Sequence, residues 1–86
     1  MPVHTPAYQQ FLARLRQARI EAGFTQSVVA ARFERPQSFI AKCEAGDRRV
    51  DAVELHWFSQ FYGKAMEWFV TGEDSLEGKD TITPES

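Results

Sequence analysis

The sequence is poor in the residues that build disulfide frameworks and metal sites. It contains one cysteine and two histidines among 86 residues. A single cysteine cannot form an intrachain disulfide, and this set offers too few ligands for a zinc site. We therefore expect neither a disulfide nor a metal, and the sequence indicates no other cofactor.

Long hydrophobic runs are also missing. No stretch approaches the ~18 apolar residues of a membrane span, and the N-terminus lacks a signal-peptide pattern. Apolar residues make up 43% and charged residues 26% of the chain, which is ordinary for a soluble globular protein. We expect one small cytoplasmic domain with a limited core, because a chain of this length buries only about 60–65% of its unfolded surface.

No arrangement of side chains indicates catalysis. No Ser/His/Asp grouping stands out, and no glycine-rich loop could cradle a phosphate. The carboxylates fall on faces that we expect to be solvated, or in the C-terminal segment. We expect no enzymatic activity.

The charge is unevenly distributed along the chain. The net charge is −2, yet residues 1–50 carry eight basic and four acidic residues, a balance of +4. Residues 51–86 carry two basic and eight acidic residues, a balance of −6. Since the local field steers a polyanion, the first half can present a basic face despite the acidic total.

Periodicity and capping signals predict an all-α fold of five short helices. We expect Gly23 to end the first helix in a left-handed conformation, and we expect Thr25 and Asp51 to be N-caps. Pro36 fits the first turn of the third helix. The tails are residues 1–6 and the acidic residues 73–86, which have little apolar surface. The predicted helices cover about residues 7–22, 26–33, 36–46, 51–62 and 65–70.

The third predicted helix has two different faces. Ile40 and Cys43, three residues apart, are expected to point inward. The opposite face carries polar and small side chains: Gln37, Ser38, Ala41 and Lys42. In an arbitrary helix such a face would be solvated surface. A glutamine can also pair with adenine N6 and N7, and a lysine can donate to guanine O6 and N7.

Two short helices joined by a tight turn describe a helix-turn-helix. The stretch "FTQSVVAARFERPQSFIAKCEAGDRR" resembles that of the phage repressor and Cro family, also called XRE-like. The motifs are Thr25-Gln26, the Ala30 position and the pattern "xQSxIxKxExG" up to Gly46. "MEWFVTG" resembles the closing helix. The resemblance covers roughly residues 11–72 and implies a five-helix lambda-repressor-like domain, bacterial or phage-encoded, with residues 7–72 as the DNA-binding unit.

The resemblance implies a role for each matching residue. Gln26 would bond a phosphate and brace Gln37, while Gln37, Ser38 and Lys42 would read base edges. Arg48 and Arg49 would meet flanking phosphates. The residues expected at DNA are Thr25, Gln26, Arg35, Gln37, Ser38, Ala41, Lys42, Arg48 and Arg49.

Two further expectations follow from the resemblance. Arg19 and Glu44 match a partly buried ion pair that ties the first helix to the recognition helix. Glu34 occupies a turn position that the family often gives to glycine, where a left-handed conformation would cost ~1 kcal/mol.

The fourth predicted helix carries more aromatic residues than one small domain can cover. Phe58 and Tyr62 share one face, and Trp57 and Phe61 share the adjacent one. We expect the second pair to form an exposed apolar patch, which typically marks a protein contact. The predicted homodimer interface is Trp57, Phe61 and Trp68.

These observations favour a sequence-specific DNA-binding regulator. It is expected to repress transcription as a dimer on a near-palindromic double-stranded operator. Two alternatives remain open. One is the antitoxin of a toxin–antitoxin pair, and the other is a protein-interaction module that no longer binds DNA.

Overall fold

The computed structural model describes residues 5–73, which form five α-helices and no strand. The predicted all-α fold class and the order of the helices are confirmed. The predicted tails lie outside the described residues, except at Thr5, Pro6 and Glu73. The helices are α1 (Pro6–Ala22), α2 (Gln26–Arg32), α3 (Gln37–Ala45), α4 (Ala52–Tyr62) and α5 (Met66–Thr71).

Side-chain caps set where three of the helices begin. The hydroxyl of Thr5 accepts the backbone N–H of Tyr8 at 3.1 Å, so α1 starts one residue earlier than predicted. Thr25 is the N-cap of α2, as predicted, and Asp51 is the N-cap of α4. Pro36 is the N-cap residue of α3 with an extended backbone, not part of its first turn as predicted.

The turn between α2 and α3 requires a left-handed residue. α2 ends at Arg32, one residue before the predicted Phe33. Glu34 then has φ +57°, which confirms the left-handed conformation considered from the sequence. This conformation lets the backbone N–H of Arg35 return to the carbonyl of Ala30 at 2.9 Å. The chain therefore reverses within a few residues and brings α3 against α2, at a local cost of ~1 kcal/mol.

The core lies where α1 meets α3, α4 and α5. α1 contributes Leu15, which is fully buried, with Phe11, Leu12 and Ala18 beside it. The left-handed Gly23 ends α1, as predicted. The other fully buried side chains are Phe58, Phe69, Ile40, Val29 and Cys43. Among the described helices, none combines the length and apolar character that a membrane span needs.

Candidate nucleic-acid interface

One side of α3 packs on the core, and the opposite side is exposed. Ile40 and Cys43 have no exposed surface and fix the helix on the core, so its opposite face points outward. Burial also raises the pKa of the Cys43 thiol, which keeps it protonated and unreactive. The outward face carries Gln37, Ser38 and Lys42, which are exposed, and the half-buried Ala41.

A chain of hydrogen bonds connects the interior to this outward face. Arg19 on α1 pairs with Glu44 on α3 at 2.7 Å, and its guanidinium also donates to the carbonyl of Phe24 at 2.9 Å. The side-chain amide of Gln26 donates to Glu44 at 3.0 Å. The amide of Gln37 in turn donates to the side-chain oxygen of Gln26 at 2.6 Å. Side chains from α1, α2 and α3 are thereby linked to Gln37, the first residue of α3.

This chain fixes which way the Gln37 amide faces. An ionised carboxylate can only accept, so Gln26 must turn its amide nitrogen to Glu44 and its oxygen to Gln37. Gln37 then uses one N–H toward Gln26. Its second N–H and its carbonyl oxygen remain for a ligand, and these are the two groups that a bidentate contact with adenine needs.

Lys42 and Arg35 are both exposed but differ in how firmly their side chains are held. Lys42 has no side-chain partner among residues 5–73, whereas the guanidinium of Arg35 lies 5.3 Å from the ring centroid of Phe39. An aromatic ring holds a cation in place without cancelling its charge. Both side chains therefore remain able to attract an anion.

An ion pair that the sequence did not predict connects the loop between α3 and α4 to α4 itself. Arg48 donates to Glu54 through both terminal guanidinium nitrogens, at 2.8 and 2.7 Å. Glu54 is 6% exposed and forms a capping box with Asp51. The D-x-x-E spacing from Asp51 to Glu54 is the sequence signature of such a box and could have located this carboxylate. A phosphate contact by Arg48 stays a prediction.

The aromatic pair on α4 is only partly exposed. Trp57 is 40% exposed, as expected of the patch. Phe61 is less exposed than predicted: its ring is half-buried and stacks on Phe24, with 4.6 Å between the ring centroids. The guanidinium of Arg32 covers the same ring at 4.9 Å. A groove of about 490 Å³ remains, which we call the aromatic groove, lined by Arg32, Phe33, His56, Trp57, Gln60 and Phe61.

Trp68, the third residue of the predicted dimer interface, does not line the aromatic groove. It is half-buried, packs edge-on against Phe69, and lies under the ammonium of Lys64 at 4.5 Å. Lys64 also pairs with Glu21 at 3.1 Å, which holds this cation over the indole. The structure therefore groups Trp57 with Phe61 and places Trp68 in a separate cluster.

The comparisons with known proteins agree with the helix-turn-helix fold. A family model described as a helix-turn-helix domain matches residues 10–64. A solved structure of an XRE-family like protein from Pseudomonas syringae pv. tomato str. DC3000 is 37% identical, with a TM-score of 0.67. That match covers 91% of this chain and 88% of the other. Among curated proteins, none matches this chain.

Proposed function

Because the chain belongs to the XRE-type helix-turn-helix family of DNA-binding proteins, we propose that it is a sequence-specific transcriptional regulator of the cytoplasm, which represses by occupying a promoter or phage operator. The observation that carries the proposal is the Gln37 amide. It is held outward at the start of α3 by a network rooted in the buried Arg19–Glu44 pair. A solvated helix face needs no such support.

We assign base readout to the outward face of α3. Gln37 pairs with an adenine through its remaining N–H and its oxygen, and Lys42 donates to a guanine. Ser38 donates or accepts as the neighbouring base requires. The small Ala41 lets the helix backbone approach the groove floor.

Phosphate contacts on both sides of α3 set the position of the helix in the groove. Thr25 and Gln26 supply them at the start of α2, where the second N–H of the Gln26 amide is not used in the network. Arg35 and Arg49 supply the basic side chains on the other side, where Arg48 is the third arginine expected from the sequence. Their charge is what makes binding depend on salt.

The proposed assembly is a symmetric homodimer on a near-palindromic operator. The aromatic groove supports this assignment because Trp57 presents an indole beside a concave surface, so that two copies can exchange the same contact about a twofold axis. Phe61 contributes the exposed part of its ring. For Trp68 to contribute as predicted, the dimer interface would have to extend to the separate cluster of Trp68 and Lys64.

The experiment that tests the proposal selects bound fragments from a random duplex pool and records the mass of the protein in solution. Recovery of an inverted repeat together with a dimer mass supports the dimeric operator-binding regulator. Recovery of an unrepeated motif with a monomer mass would support sequence-specific DNA binding but refute the dimer. No enriched motif from a folded protein overturns the proposal.

The aromatic groove also favours a second candidate, the antitoxin of a toxin–antitoxin pair that regulates its own operon. In that candidate the groove holds a protein partner while α3 still binds DNA. A toxin-like reading frame beside the gene would favour it. Salt distinguishes the two contacts, because DNA affinity falls steeply with salt and an apolar protein contact does not.

A further inference from the structure

The loop of residues 46–51, between α3 and α4, is fastened by Arg48 to both of these helices. Its guanidinium binds Glu54 on α4 at 2.7 and 2.8 Å. The same guanidinium lies 4.7 Å from the ring centroid of Phe39 on α3. It also donates to the backbone carbonyl of Arg49 at 3.0 Å, so it holds the next residue of the loop directly.

Glu54 receives the bond from Arg48 in a place that is nearly closed to water. Its side chain is 8% exposed, and one of its oxygens also accepts the backbone N–H of Asp51 at 3.1 Å. The positive charge of Arg48 is therefore matched at contact distance by a carboxylate. A phosphate approaching Arg48 meets a pair of nearly zero net charge.

Arg49 is in the opposite situation. It is exposed, and among the residues that the structure describes no carboxylate forms a salt bridge with it. Its guanidinium lies 4.7 Å from the ring centroid of Tyr8 on α1. The hydroxyl of Tyr8 accepts the backbone N–H of Val50 at 3.1 Å, which fixes the loop just after Arg49. The loop is thus fixed on both sides of Arg49.

We propose that the two arginines divide the work of this loop. Arg48 and Glu54 are positioning residues that hold the loop, and Arg49 is the residue whose charge contacts the phosphate. The inference rests on the proposed DNA binding and changes the predicted role of Arg48 from a phosphate contact to a support. Glu54, an acidic residue next to the proposed DNA surface, becomes a residue that binding requires.

The sign of the Glu54→Gln effect separates positioning from simple electrostatics. Removing a negative charge near DNA should tighten binding if only charge matters. If Glu54 positions the loop, E54Q should instead weaken binding, by about tenfold, the size expected for one lost charge-assisted contact. Asp47→Asn is the matched control, because it removes a negative charge from the 46–51 loop itself at an exposed side chain.

The test measures affinity for the duplex recovered from the random pool, as a function of salt, for each folded variant. Arg49→Gln should lower the log–log salt slope by about 0.9, the value for one phosphate. In the E54Q background, R49Q should change the slope far less, since the loop no longer delivers Arg49. D47N should bind as tightly as the unaltered protein or slightly tighter. Circular dichroism establishes folding.

Arg48→Lys provides a second route if E54Q does not fold. It keeps the charge but cannot bind a carboxylate through two nitrogens. R48K should weaken binding. In the R48K background, R49Q should no longer change the salt slope. The inference is overturned if E54Q or R48K binds normally with the R49Q effect intact, or if Arg48→Gln lowers the slope further in the R49Q background, which would show that Arg48 contacts a phosphate itself. Failure of the unaltered protein to bind any duplex would overturn the proposed function instead.

Discussion

The side chains proposed to read bases differ in how firmly the protein holds them. Gln37 is oriented by Gln26, while Lys42 extends from the same face without a side-chain partner among the described residues. A held amide has little conformational freedom to lose on binding, and a free lysine has more. Gln37 should therefore give the sharper discrimination between bases.

Lys42→Ala should weaken binding by ~1–3 kcal/mol at one base position and relax specificity there. The reason is the loss of a donor to guanine O6 and N7. Affinities for duplexes that differ from the selected sequence at single positions measure the effect. Arg16→Ala, an exposed cation on α1, is the matched control. An equal loss on every duplex would instead show that Lys42 contacts a phosphate.

Gln26→Ala and Gln37→Ala should damage discrimination at the same base pair. Removing Gln26 leaves Gln37 in place but without the partner that orients its amide. The two substitutions should then be non-additive, with a coupling of ~0.5–3 kcal/mol. A double-mutant cycle on the matched and mismatched duplexes measures it. Additive losses would mean that Gln26 acts on DNA independently of Gln37.

At the scale of elements, one ion pair connects α1 to the recognition helix. The side chains of Arg19 and Glu44 are 11% and 4% exposed, so removing either leaves a charge without its partner in a mostly dry site. Arg19→Ala should lower the free energy of unfolding by ~3–5 kcal/mol. Urea unfolding measures it, with R16A expected to change stability by less than about 0.5 kcal/mol. A small loss for R19A would show that water replaces the guanidinium.

The connection between the 46–51 loop and α4 predicts a pH dependence of stability. The Arg48 guanidinium, together with the backbone N–H of Asp51, lowers the pKa of Glu54 below its ordinary value of 4.5. The stabilisation is therefore present above that ordinary value and lost as pH falls through the lowered pKa. Urea unfolding between pH 7 and pH 3 should show a smaller loss of stability for Glu54→Gln than for the unaltered protein. Parallel pH profiles would contradict this.

The sequence predicted these elements well where the signal was local. Thr25, Gly23 and Asp51 carry their capping roles in their own chemistry, and the structure confirms all three. The apolar character of Ile40 and Cys43 likewise predicted the buried side of α3. Helix ends were displaced by a residue or so, because capping geometry and not composition decides them.

The sequence failed where packing between distant segments decides the outcome. Phe61 was predicted to be exposed because one small domain could not cover all four aromatic residues of α4, yet Phe24 and Phe33 contact its ring from other segments. Arg48 was predicted to contact a phosphate, and only the fold shows that Glu54 lies beside it. Trp68 shares aromatic character with Trp57 but not its location. Such contacts depend on tertiary geometry that spacing along the chain does not encode.

For the whole molecule, the central question is how one small domain secures a specific DNA complex. The proposed contact residues form a limited interface, and single modules bury only about 600–1,000 Å² of protein surface. Two copies on two half-sites double the contacts and add the requirement of correct spacing. The proposed dimer therefore bears directly on specificity, and the aromatic groove is the surface to test.

Trp57→Ser should convert the protein to a monomer and weaken binding to an inverted repeat. Each subunit contributes the same indole, so the substitution acts twice across a twofold interface. Truncating a central tryptophan typically costs at least ~2 kcal/mol, so the two copies together cost ~4 kcal/mol, which is roughly 10³-fold in the dimer dissociation constant. Ile20→Ser is the matched control, since Ile20 is 52% exposed on the outer side of α1. Analytical ultracentrifugation gives the mass, and a monomeric unaltered protein at high micromolar concentration would refute the dimer. If W57S stays dimeric with the mass of the unaltered protein, the interface lies elsewhere, and the cluster of Trp68 and Lys64 becomes the next surface to alter.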